Sequence, residues 1–579
     1  MVNPLIHEFS SSRFVLVAIF SFFFGFCASE TAPNFGFLRN AATAPPRSYY
    51  DYIVIGGGTS GCPLAATLSQ NASVLLLERG GAPYGNPNIT LLSSFGRPMS
   101  DPSPSSPAQR FISEDGVINA RARVLGGGSC LNAGFYTRAD REHIIASRWD
   151  PYLVNESYRW VEDVVAFEPP MKAWQSAVRD GLMEAGVVPY NGFTYEHVNG
   201  TKVGGSIFDQ DGNRHTAADL LGYANATNID VLLHATVHKI MFKTKGVENP
   251  QAYGVIFTDE TGIQHKAYLN PGPNNEVILA AGALGSPQIL MLSGVGPIDH
   301  LKAHNITVLL DNSEVGQGMS DNPMNAIYIP SPLPVEVSLI QVVGITNFGS
   351  YIEAASGENF GGDVKARDFG MFSPKIGQLS SLPPKQRTPE ALAKAIDLMS
   401  KLPDIAFQGG FIIEKILGPI STGYLRLQSK NPSDNPAVTF NYFQDPNDLK
   451  RCVQGIQTIE KVINSKAFSK FKYQDTSVQA LLNLTASTPL NLLPHHSDVT
   501  TSLEQYCRDT VMTIWHYHGG CQLMRVVDFN YKVFGTDKLR VIDGSTFYFS
   551  PGTNPQATVM MLGRYMGVKL LQERSSTRN

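Results

Sequence analysis

Unbroken apolar stretches are scarce in this chain. The most apolar one, Phe14 to Phe26, is thirteen residues long, whereas a helix that crosses a bilayer needs about 20, so no membrane span is expected. Charge is scarce too: Asp, Glu, Lys and Arg make up 17% of 579 residues and nearly cancel, leaving −4. That balance offers nothing to a polyanion, and no cluster of basic and aromatic side chains suggests a nucleic-acid partner. With 43% hydrophobic residues and so few charges, the chain is not a disordered one. Its glycine-rich segments recur without a fixed period, which removes support from solenoids and propellers. A catalytic metal is not expected either. His516 and His518 have only Cys521 nearby as a third ligand, and His495, His496 and Asp498 stand in a Pro- and Asn-containing stretch of loop character.

The apolar stretch begins behind Arg13 and ends at the small residues Cys27, Ala28 and Ser29. Its length and flanks fit a signal peptide over residues 1–29, which directs the mature chain outside the cell or into the endomembrane lumen. Asn71, Asn88, Asn155, Asn199, Asn225, Asn305 and Asn483 each stand two positions before Ser or Thr, the acceptor pattern for N-glycans on that route. Asn71, just ahead of an expected buried strand, is the crowded one. Five cysteines follow the leader, Cys62, Cys130, Cys452, Cys507 and Cys521, and an odd number leaves at least one thiol free. The chain is too long for one hydrophobic core, so two joined domains are expected.

The segment Tyr49 to Gly81 reads as strand, glycine turn, helix and strand. "DYIVI" is a short β-branched run, "CPLAATLS" has helical apolar spacing, and "SVLLLE" is a second buried strand. The turn between them, Gly56-Gly57-Gly58-Thr59-Ser60-Gly61, has the GxGxxG spacing, and Glu78 ends the second strand. Gly56 permits the tight turn, Gly58 lets backbone approach a pyrophosphate, and Gly61 lets helix and strand close up, while the helix N-terminus offers unpaired N–H groups to the anion. Glu78 is placed to accept hydrogen bonds from ribose hydroxyls. A dinucleotide is therefore expected, with NAD and FAD both open at this point.

Further glycine-rich segments stand at 121–136, 280–296 and 540–571, the last running into a helical pattern from Gln556 to Glu573 with apolar residues on one face. Dispersed loops of this kind converge more readily on one large ligand than on several small ones. The stretch "WHYHGGC", Trp515 to Cys521, holds two histidines around Tyr517. An imidazole serves equally as ligand, general base or buried hydrogen-bonding ring, so the residues alone leave its role open.

"RVLGGGSCLNAG", "GALGSPQILMLSGVG" and the C-terminal pair "WHYHGG" and "SPGTNPQAT" together resemble the glucose-methanol-choline (GMC) flavin oxidoreductases, and within that family the plant branch of HOTHEAD and mandelonitrile-lyase proteins. The resemblance runs from Tyr49 to the end. It implies an α/β fold with a discontinuous, Rossmann-like FAD-binding domain and an α+β substrate domain built on an antiparallel sheet. The expected division assigns 48–160, 200–320 and 525–573 to the FAD domain, and 161–199 with 321–524 to the substrate domain. FAD thereby replaces the NAD alternative. By similarity its lining comprises Thr59, Ser60, Glu78, Arg79, Val124, Gly128, Asn132, Ala133, Gly134, Phe135, Val237, Trp515, His516, Asp543, Gly544, Pro555 and Gln556. Some members attach FAD through a histidine in the first signature; "GGGSCLNAG" has none, so noncovalent FAD is implied. A Cys452–Cys507 disulfide is implied in the same way.

The resemblance also places the catalytic base on His518, with His516 beside the flavin and Asn554 as the group that positions the substrate oxygen. A neutral imidazole suits removal of a hydroxyl proton near neutral pH. The expected reaction is oxidation of a small-molecule alcohol, a long-chain ω-hydroxy fatty acid in the first instance, with Tyr517 as a substrate contact. The alternative is cyanohydrin cleavage with FAD as a structural group. Lyase members carry a second histidine where this chain has Asn554, and a substrate-facing cysteine, whereas Leu131 to Arg451 contains none.

Overall fold

The computed structural model describes residues 33, 35–357, 388, 390, 409–487, 491–493, 496 and 499–576. The leader over 1–29 lies outside them, as do His495 and Asp498. At its centre is a six-stranded sheet in the order Leu38–Asn40, Ile229–Leu233, Val74–Leu77, Tyr52–Ile55, Glu276–Leu279 and Leu539–Val541. Every neighbouring pair is parallel. The strands are near-continuous apolar runs because both faces of a parallel sheet are covered. Tyr52 and Val54 point into a core with the helices Gly61–Leu68 and Gln556–Ser576, while Ile53 and Ile55 point into a second core with the helix Gly282–Leu292. The C-terminal helix is buried on most of its circumference through Met566 rather than along one stripe, since it is sandwiched between Gly61–Leu68 and the helix Pro151–Val165.

The second domain is a seven-stranded sheet, in the order Met512–Thr513, Pro323–Pro330, Gly409–Ile416, Ser350–Ser356, Val342–Ile345, Gly200–Val203 and Tyr190–Phe193. All pairs are antiparallel except the outermost, which is parallel. Gly200–Val203 belongs to this sheet, so the domain boundary expected at residue 200 falls inside it. Helices Ala173–Glu184, Pro446–Ile463, Val478–Ala486 and Leu503–Thr510 cover one face around Trp174. Asn71, expected to be crowded, is exposed.

Cys452 and Cys507 are joined as a disulfide between two of these helices, and Cys62, Cys130 and Cys521 are buried free thiols. Among the described residues no helix is long and apolar enough to cross a membrane. Cross-links across loops of this length restrict the unfolded chain by about 4 kcal/mol on the chain-entropy argument. Replacing both cysteines by alanine is expected to lower the unfolding free energy by about 2–4 kcal/mol, read as a fall in the denaturant midpoint of the FAD-loaded protein.

Candidate active site

A cavity of about 390 Å³ is walled by the C-terminal ends of the parallel strands and by the inner face of the seven-stranded sheet. Its first wall is the glycine turn. Gly56 has φ +105°, and a Cβ there would stand 2.5 Å from the Ala280 carbonyl oxygen. A Cβ at Gly61 would stand 1.9 Å from the Gly56 carbonyl oxygen, which is why the helix can begin directly under the turn. Gly61 itself is off the wall; Gly56, Gly58, Thr59 and Ser60 are on it. The Glu78 carboxylate accepts from the Gly57 and Gly80 N–H groups at 3.0 and 2.8 Å. Burial pushes it above the usual carboxylate range.

Distant segments complete the wall. Asp543 accepts from the Gly282 N–H at 2.9 Å, from the Ser286 hydroxyl at 2.5 Å and from the Ser545 N–H at 2.8 Å. Gln556 donates to the Phe135 carbonyl at 2.6 Å and accepts from the Asn132 amide at 2.8 Å. These bonds tie the C-terminal segment to the other glycine-rich loops. Arg79, Val124, Gly128, Ala133, Gly134, Val237, Trp515, Gly544, Asn554 and Pro555 also line the cavity. A glycine cradle open to backbone approach, a helix N-terminus and a carboxylate on the adjacent strand fit the pyrophosphate and ribose of a dinucleotide. Among the described residues no three His, Cys, Asp or Glu side chains gather as a metal site.

At the other end the wall turns apolar, with Met324, Ala326, Leu339, Phe411, Ile413 and Ile514. His516 and Asn554 stand on this wall; His518 does not. The base is expected at His518, whereas the histidine on this wall is His516. His518 is pinned from behind: its backbone exchanges hydrogen bonds with Ser320 at 2.8 and 2.9 Å, and its Nδ1 lies 3.0 Å from the His516 carbonyl oxygen. His516 is held by its own N–H, which donates to Asp321 at 2.9 Å, and by Asn322, whose side-chain amide lies 3.2 Å from the ring Nδ1. That leaves Nε2 for the cavity. Burial, with Lys415 and then His518 nearby, pushes the His516 ring well below its ordinary value. Tyr517 also reaches the wall, yet its hydroxyl donates to the Ala120 carbonyl at 2.6 Å and its ring packs on Phe440 and Phe111. Its phenol proton is thus given to the backbone of Ala120.

Sequence reasoning missed Asn322, Glu353 and Lys415. Lys415 and Glu353 form a fully buried ion pair at 2.7 Å, and the same ammonium donates to Asn554 Oδ1 at 3.0 Å. Burial pushes the lysine down and the carboxyl up, and each opposes the shift in the other. A strand that places a lysine among apolar residues, as in "FIIEKI", was the available signal.

Two family models described as GMC oxidoreductase match residues 50–324 and 419–563. Protein HOTHEAD of Arabidopsis thaliana is 55% identical over 91% of this chain and 89% of its own length. The (R)-mandelonitrile lyase-like protein of the same plant is 46% identical, covering 93% and 92%. Sinalpyl alcohol oxidase Nec3 of Nesocodon mauritianus is 42% identical, again over 93% and 92%. A crystal structure of formate oxidase shares the fold, with a TM-score of 0.71 at 19% identity over 92% of this chain and all of that one.

Gly61→Ala is expected to abolish retention of FAD, read as loss of flavin absorbance in the purified protein, because the added methyl meets backbone rather than a mobile side chain. A second expectation concerns acid. Burial lowers His518 and His197 to about 4 and His143 to about 3, whereas an unfolded histidine titrates near about 6.5. The unfolded chain therefore binds more protons between these values, so stability is fully present above pH 6.5 and lost as the pH falls towards 4. The thermal midpoint of the FAD-loaded protein should fall throughout that window, and less steeply in His143→Phe.

Proposed function

Because this chain belongs to the GMC oxidoreductase family of FAD-dependent enzymes, we propose that it oxidises a primary alcohol with a long apolar body, a long-chain ω-hydroxy fatty acid being the first candidate, to the aldehyde. One observation carries the reading: His516 and Asn554 share one end of a cavity whose remaining wall there is apolar. FAD, when bound, supplies the acceptor for the hydride that leaves the alcohol carbon. The chain supplies position and the proton's destination.

In this reading His516, rather than His518, is the base. With the amide oxygen of Asn322 turned to Nδ1–H, the ring keeps its proton there and offers the Nε2 lone pair to the substrate hydroxyl. That orientation also gives Asn322 Oδ1 a donor, which it otherwise lacks while buried. The low proton affinity of His516 keeps it neutral, and hence able to accept, through neutral pH. Asn554 fixes the substrate oxygen. The apolar wall receives the hydrocarbon part and excludes water from the reacting carbon. The alcohol class is supported by the likeness to Sinalpyl alcohol oxidase Nec3.

FAD is held here without a covalent bond. Supporting this, the wall loop carries Ser129 and Cys130, whose side chains donate to the Gly126 and Leu125 carbonyls; neither this loop nor its neighbour Asn132 offers a histidine. The leader over 1–29 and the exposed sequons Asn88, Asn155, Asn199 and Asn305 support a secreted, glycosylated protein. The likeness to the (R)-mandelonitrile lyase-like protein favours cyanohydrin cleavage as the second reading. Against it stand Asn554 and the lack of any cysteine lining the cavity among the described residues.

The test is anaerobic flavin absorbance with ω-hydroxy fatty acids, benzylic alcohols and mandelonitrile added separately. Bleaching by an alcohol is expected; an unbleached flavin with benzaldehyde released from mandelonitrile would establish the lyase instead. His516→Ala should keep FAD and slow the bleaching by about 10²–10⁴-fold, while His518→Ala slows it far less. The reverse order would return the base to His518. Since His516 acts unprotonated and is shifted below 6.5, the bleaching rate should be flat through neutral pH and fall only in acid.

A further inference from the structure

Beyond the effect of Lys415 on His516, the Lys415–Glu353 pair neither gives nor takes the proton in the step just described, although both side chains are fully buried. An ion pair of this kind costs more in lost hydration than it returns in attraction unless its remaining hydrogen bonds are met, and apolar residues in its place are often as stable or more so. Its geometry assigns it another task. Lys415 extends from the strand Gly409–Ile416 and is held on three sides: by the Glu353 carboxylate at 2.7 Å, by the Tyr351 ring 4.4 Å from its centroid, and by Asn554 Oδ1 at 3.0 Å. An ammonium donates and never accepts. The atom of Asn554 facing Lys415 must therefore be the oxygen, while its –NH₂ end stands beside the Glu353 carboxylate and can give it one of its two N–H groups. Asn554 lines the cavity.

We propose that the Lys415–Glu353 pair is a positioning device that holds the Asn554 amide at both ends, its oxygen on Lys415 and one N–H on Glu353, so that only the second N–H is left and Asn554 acts as a hydrogen-bond donor to the substrate oxygen. This rests on the reading of the cavity as a site for an oxygen-bearing substrate next to His516. A freely turning asparagine would present either end, and half of its orientations would set a carbonyl lone pair against the substrate oxygen. The lock removes that choice before substrate arrives. It also places a fixed cation behind the amide, polarising its N–H groups as negative charge grows on the oxygen during proton removal. Donors arranged in advance in a dry site stabilise such charge without reorganising. The lock thus selects ligands that present an accepting oxygen, whether alcohol, aldehyde or cyanohydrin, and disfavours ligands that present only a donor.

Lys415→Met with Glu353→Leu removes the pair without leaving a buried lone charge. The probe is decanal, an aldehyde bound by perturbation of the oxidised flavin band; an aldehyde is a product under both the oxidation and the lyase readings. In the FAD-loaded full chain the double variant is expected to bind decanal about tenfold more weakly, which is about 1.4 kcal/mol, with flavin content unchanged. Adding Asn554→Ala should then cost little more, although Asn554→Ala alone costs about the same tenfold, because residues acting as one unit do not add. Additive losses, or decanal affinity within twofold of the parent, would overturn the assignment. Should the double variant fail to retain FAD, Asn554→Asp carries the test. It keeps an oxygen for Lys415 and removes the donor, so the same tenfold loss is expected and undiminished affinity overturns the proposal. If decanal binding behaves as expected while no alcohol bleaches the parent flavin, alcohol oxidation falls and the positioning role of Lys415 stands.

Discussion

The close approach of backbone to backbone at the turn Gly56–Gly61 is the constraint on which the rest of the molecule depends. The turn can bury itself only where neighbouring chain has no side chain to spare. The Ser60 hydroxyl donates to the Ile542 carbonyl at 2.5 Å, and a Cβ at Gly563 would stand 2.3 Å from the Ser60 carbonyl oxygen. The last helix of the chain therefore lies flat against the first helix of the fold. With that contact made, Asp543 and Gln556 fall where they bond to Gly282 and Phe135, and four remote stretches close around one cavity. The discontinuity of the cofactor domain follows: its first and last segments must be neighbours for either to be buried.

The second economy concerns charge. The buried Asp, Glu and Lys side chains of the described core are paired or hydrogen-bonded. Arg540, 1% exposed at its side chain, is met by Glu276 at 2.6 Å and by Glu573, an arrangement that fastens the edge strand Leu539–Val541 and the C-terminal helix to the parallel sheet. Lys415–Glu353 fastens nothing comparable. Its two strands are already joined by seven register pairs, so the sheet does not need the ion pair to hold them. A costly interaction at a position where packing would suffice is better explained by the cavity it faces than by the fold it sits in.

Much of the cofactor half was legible. Short apolar runs located the strands Tyr52–Ile55 and Val74–Leu77, and helical apolar spacing the helix Gly61–Leu68, because local sterics and burial on both faces dictate those patterns. The turn was legible for a related reason: the glycine spacing records backbone contacts. The substrate half was not. Its wall residues Met324, Phe411 and Ile413 look like any core residues, since facing a cavity and facing a core make the same demand on a side chain. Lys415 stood out as a lysine in an apolar strand, but its role did not, because its partners Glu353 and Asn554 lie 62 and 139 positions away and only the tertiary fold brings them together. The same holds at residue 200: Gly200–Val203 joins the seven-stranded sheet through its partner Val342–Ile345 and shows nothing of this in its own composition.

The histidine pair carries a more general point about motif reading. In an extended segment residues two apart share a face, so His516 and His518 should present themselves to the cavity together. They do not, because the segment is not regularly extended. Trp515 has φ +59° and Gly519 has φ +89°, so the chain changes direction on both sides of the three residues between them. The bridge to Ser320 then fixes the backbone of His518 on the inner side. A Cβ at Gly519 would lie 2.0 Å from the Gly318 carbonyl oxygen, so the turn that follows His518 is pressed against the same segment that pins it. The glycines after the second histidine draw the eye to it as the functional residue. Physically they let that histidine's backbone pack against Gly318–Ser320, while the first one lines the cavity.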